Sequence, residues 1–70
     1  MKIMLLKQSN NEWEFKTEDE WVTCTNIELA SEELIRLGVT DDEIDLALIS
    51  IYANNHDGAT FENGKFVASI

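Results

Sequence analysis

Cys24 and His56 are the only thiol and the only imidazole in the chain, so one thiol–imidazole pair is the single arrangement of this kind open to it. Such a pair needs a third group to orient the base, and neither a glycine elbow nor an orienting residue stands at a telling spacing from either. The plainer reading is favoured: Cys24 is a small apolar strand residue and His56 a loop residue beyond a helix end. Oxygen-bearing side chains cluster twice, in Asn54-Asn55-His56-Asp57 and in Asp41-Asp42-Glu43 with Asp45. A calcium loop wants oxygens at alternate positions, a central glycine and a closing glutamate, and neither cluster has that spacing. Zinc wants several Cys or His ligands, and this chain has two. Paired carboxylates can be drawn anywhere among fourteen acids, but 70 residues imply no core large enough to wall a pocket around them. The expectation is therefore no catalysis, no metal and no cofactor.

What the acids do instead is set by their number and place. Fourteen carboxylates against five bases give a formal net charge of −9, which disfavours direct binding to nucleic acid or to an anionic membrane surface. The charge is concentrated: residues 12–45 hold twelve acids against Lys16 and Arg36, a net of −10. Solubility asks for a magnitude of only about 2–8 in a small domain. A basic protein partner is the surface such a charge would steer. The contact candidates are Glu12, Trp13, Glu14, Glu18, Asp19, Glu20, Asp41, Asp42 and Asp45. Trp13, Phe15 and Trp21 are interleaved with these acids and read either as partner contacts or as core, the core being favoured because so short a chain needs every large apolar residue.

One cysteine excludes an intramolecular disulfide and suggests a reducing, cytoplasmic setting. The apolar run Ile3–Leu6 is too short for a signal-peptide core or a membrane span. With no proline, repeat or glycine-rich linker, residues 1–70 are expected to form one domain.

The elements that must position these residues follow from pattern. Ile3–Leu6 is continuously apolar and predicts a central strand buried on both faces. Glu12-Trp13-Glu14-Phe15-Lys16 alternates and predicts a second strand, joined to the first through residues 9–11. A charged turn at 17–20 leads to a short third strand over 21–25. A helix is expected within 26–37, started by Thr25 with Glu28 or by Ser31, and stopped by Gly38. Thr40 and Glu43 predict a capping box for a second helix, with Val39 and Ile44 as its hydrophobic staple. Ile44, Ala47, Leu48 and Ile51 form one stripe of that helix, and Leu46, Ile49 and Ala53 a second. Such a helix is buried on more than one side or helps form an oligomer interface, so a homo-dimer built on it is the alternative reading. Asn63-Gly64 predicts a tight hairpin pairing Glu62 with Lys65 and Phe61 with Phe66. The order βββ-αα-ββ defines an α+β fold, an antiparallel sheet with two helices on one face.

Residues 33–47, a helix, a glycine-containing turn and a second helix, resemble a helix-turn-helix. The second helix opens Asp41-Asp42-Glu43, where contacts to DNA would want Arg, Lys, Asn or Gln, so the pair is kept as architecture only. The whole profile, small, strongly acidic and without a catalytic motif, resembles the acidic proteins of mobile genetic elements. That resemblance implies an inhibitor occupying the DNA or RNA groove of its target.

Overall fold

A computed structural model describes all 70 residues. Its elements are β1 (Lys2–Lys7), β2 (Trp13–Lys16), β3 (Trp21–Cys24), α1 (Ile27–Arg36), α2 (Asp41–Asn54), β4 (Gly58–Glu62) and β5 (Lys65–Ser69). The strands form one sheet in the order β3-β2-β1-β4-β5, and every neighbouring pair is antiparallel. Both helices lie on one face, α1 over β2 and β3, α2 over β4 and β5. The fold is the α+β arrangement that the pattern predicts.

Alternation decides which strand residues meet the helices. Ile3, Leu5, Trp13, Phe15, Cys24, Ala59 and Phe61 face them and are buried. Ala30 and Leu34 of α1 and Ile44, Ala47 and Ile51 of α2 close the core from above. β1 is central, yet it is not buried on both faces. Met4 and Leu6 point to the opposite side, where no second layer lies, and are only half-buried. The continuous apolar run thus marks a central strand without implying a third layer.

Helix ends show where local rules held and where tertiary contacts displaced them. α1 begins at neither Thr25 nor Ser31. Asn26 is its N-cap, its Oδ1 accepting from the Leu29 N–H at 2.9 Å. At the other end the Gly38 N–H donates to the Ile35 carbonyl and the Val39 N–H to the Leu34 carbonyl, with Gly38 at φ +99°. This pair of hydrogen bonds is the Schellman arrangement, and Val39 and Leu34, which share one of them, are both fully buried. Thr40 occupies the N-cap position of α2 in extended conformation, but the capping box does not form: its side chain makes no cap hydrogen bond. Glu43 turns instead to β5, where its Oε2 accepts from the Phe66 N–H at 3.4 Å. The predicted C-terminal hairpin is present, with Asn63 and Gly64 both at positive φ and the two phenyl rings edge to face at 6.3 Å. A β-bulge near Thr60 and Phe61, which the pattern does not announce, leaves Val67 exposed.

Candidate interaction surface

The net charge sorts by layer. α1 carries Glu28, Glu32 and Glu33 against Arg36; α2 carries Asp41, Asp42, Glu43 and Asp45 against no base. The helices therefore hold −6, and the turn 17–20 adds −3 through Glu18, Asp19 and Glu20. Those two regions account for the whole −9, and the rest of the chain is neutral. Three of the five bases, Lys2, Lys16 and Lys65, share the open face of the sheet with Glu14 and Glu62.

The candidate contact residues do not form one patch. β2 runs down to the turn 17–20, α1 ends and α2 begins at that same end of the sheet, and so Glu18, Asp19, Glu20, Asp41 and Asp42 are gathered there. Asp45 follows one turn up α2 and is exposed. Glu12 sits at the opposite end, held by the Asn10 side chain. Glu14 lies on the open face, accepting from Gln8 Nε2 at 2.9 Å. Trp13 is a correction: it is 3% exposed, packed beneath α2 with its ring edge to face with Tyr52 at 6.3 Å, and cannot touch a partner. The alternation of β2 sends it and Phe15 inward together. Trp21 is a second correction: expected in the core with Trp13 and Phe15, it is 64% exposed, because its register opposite Lys16 turns it to the open face, where the Lys16 ammonium stands 5.0 Å above its ring.

Most of the carboxylates are unneutralised. Within 4 Å, cations reach only Glu20, Glu33 and Glu62: Arg36 bridges the first two at 3.4 and 2.7 Å, and the N-terminal ammonium approaches the third at 3.9 Å. Lys7 and Lys16 stand over aromatic rings instead of carboxylates. Beyond the acids, the outer ridge of α2 is apolar: Leu46, Ile49 and Ala53 are exposed, so the second stripe is not covered within the monomer.

Cys24 and His56 are not brought together. Cys24 pairs with Trp13, Trp13 with Lys7, and the Lys7 N–H bonds the Asp57 carbonyl beside His56. Three strand spacings, about 14 Å, separate the two residues. Burial, and then the charge of Glu33, push the Cys24 thiol above its ordinary value, away from thiolate character. No three His, Cys, Asp or Glu side chains converge to hold a metal ion. No helix is long and apolar enough to cross a membrane.

The largest concavity, about 400 Å³, is a groove between β3 and α1 lined by Val22, Cys24, Leu29, Glu32 and Glu33 among others. The sequence held no signal for it, because it depends on β3 being an edge strand. Comparison with protein-family models, with curated proteins and with solved structures finds no significant match.

Proposed function

We propose that the protein is non-enzymatic and acts in a reducing cytoplasm by binding a basic macromolecule through its helix layer and the adjoining turn 17–20. The observation that carries this reading is the layer-by-layer sorting of charge, with the entire net −9 on the helices and that turn. Carboxylates left without counter-cations attract a basic surface over a distance of about a Debye length and accelerate its docking. The sharper form is an inhibitor that fills the nucleic-acid groove of its target, with Glu18, Asp19, Glu20, Asp41, Asp42 and Asp45 standing in for phosphates. The test is capture by the tagged protein from its own host. Binding should fall steeply between low salt and about 0.5 M NaCl, and severalfold on reversing Asp41, Asp42 and Asp45 to lysine. Capture indifferent to both changes would refute it.

A second reading rests on the ridge of α2, where Ile49 is 64% and Leu46 52% exposed. Two copies packed along this ridge would form a homo-dimer. Light scattering showing a monomer throughout the micromolar range would exclude it.

A further inference from the structure

The two edges of the sheet are finished differently. The β5 edge is closed by α2: Glu43 accepts from the Phe66 N–H, Ser50 and Ser69 join through their hydroxyls, and the bulge breaks the strand's regularity. The β3 edge has none of these. At its turn the Thr17 N–H donates to the Glu20 carbonyl. Counting up the β2–β3 register from there, Phe15/Val22 and Trp13/Cys24 exchange the ladder bonds, so Trp21 and Thr23 turn their N–H and C=O groups outward. Beside this free edge runs the groove against α1, with Val22, Cys24 and the exposed Leu29 as its apolar lining and Glu32 and Glu33 on its helical wall.

We infer that the β3 edge and the groove beneath α1 form a docking site for an extended peptide segment carrying alternating apolar and basic side chains. Main-chain bonds to Trp21 and Thr23 would add the segment as a sixth strand. Successive side chains of a strand point to opposite faces, so the basic ones would enter the groove, laying their aliphatic stems on Val22 and Leu29 and their charges against Glu32 and Glu33, while the apolar ones lie beside Trp21 on the open face. Basic residues are selected because Glu20, Glu32 and Glu33 border the site and only Arg36 offsets them. The same charge argues against a second copy, since β3 paired with its own symmetry mate would bring these carboxylates face to face. The inference rests on the basic-partner reading for the charge of the segment; its geometry comes from the edge alone.

The test titrates the full chain with a nine-residue peptide of alternating lysine and valine. Its controls are the glutamate–valine counterpart and a version N-methylated at every second amide. Binding of the lysine peptide should shift the amide resonances of Trp21, Thr23 and Leu29 and slow hydrogen exchange at Trp21 and Thr23. Thr23→Pro removes one outward N–H without touching the ladder, and it should weaken binding about tenfold or more. N-methylation should do the same with the protein unaltered, so the result does not depend on that variant folding. Equal binding by Thr23→Pro and by the N-methylated peptide, or shifts confined to α2, would overturn the edge site and leave the basic-partner reading standing. Equal binding of the glutamate peptide would overturn both. A dimer dispersed by Thr23→Pro would overturn the proposal in favour of a second copy.

Discussion

Replacing Asp45 by lysine should make the protein more stable while weakening its hold on a basic partner. Asp45 is exposed, makes no ion pair, and stands four residues after Asp41 and three after Asp42 on α2. Each like-charge pair at these spacings costs about 0.2–0.5 kcal/mol, and each opposite pair gains as much. Converting two repulsions into two attractions is therefore worth roughly 0.8–2 kcal/mol, with the acid on the favourable N-terminal side of the base. Asp45 lies beyond the first turn, so a lysine there opposes the helix dipole by only about 0.3 kcal/mol. The net expectation is a gain of about 0.5–1.7 kcal/mol, or several degrees in the melting temperature of so small a domain. Urea unfolding at low salt measures it, and the gain should shrink severalfold in 1 M NaCl, where screening acts over about 3 Å. A destabilised variant, or a gain indifferent to salt, would refute the reasoning. A substitution that stabilises the fold and weakens capture would mark Asp45 as held for binding at a cost to stability.

Other expectations are independent of the partner. Gly58→Ala should destabilise by about 1–3 kcal/mol or more in urea unfolding, because the added methyl would run into the Leu5 carbonyl across the β1–β4 pair. The Cys24 thiol, buried and beside Glu33, should react with iodoacetamide at neutral pH far more slowly than a free thiol. Its folded pKa is raised, so its contribution to stability is present below the ordinary thiol value of 9.0 and is lost as pH climbs through the folded value. Cys24→Ser should flatten that alkaline decline. In fluorescence quenching by iodide, Trp21→Phe should abolish most of the quenchable emission, and Trp13→Phe should leave it, since Trp13 is 3% and Trp21 64% exposed.

The elements were legible wherever a local rule had no rival. The Asn63-Gly64 turn set both cross-strand pairs of its hairpin, Gly38 ended α1, and the alternation of β2 sent Trp13 and Phe15 inward. Local rules failed where a distant group competed. Thr40 and Glu43 have the spacing of a capping box, but the Phe66 amide on β5 draws the carboxylate away. Asn26 displaced Thr25 and Ser31 as the cap, all three being good capping residues within two turns of each other. The candidate surface was legible in composition and not in geometry. Periodicity put Asp41, Asp42 and Asp45 at the start of a helix, but it could not bring residues 18–20 to the same end or send Glu12 to the other. The β3 edge was invisible for the same reason, since chain order does not say which strands lie outermost.

The central position of β1 has a kinetic consequence. β1, β2 and β3 form a meander of near neighbours, and β4 and β5 a tight hairpin; the two halves of the sheet join only where β1 meets β4. That seam pairs Leu6 with Gly58 and Lys2 with Glu62, so roughly fifty residues must be looped out before it closes. The loop-length part of that closure costs about 3–4 kcal/mol for a flexible chain, and α1 and α2 reduce it by spanning most of the gap. During synthesis the first strand to emerge waits for the sixth element before it acquires its second neighbour. By then α1 and α2 have already emerged, so the helices that cover Ile3 and Leu5 are made before the strand that completes the pairing of β1. The rate at which the native sheet assembles is thus tied to the formation of the helical layer, the same layer that carries most of the charge.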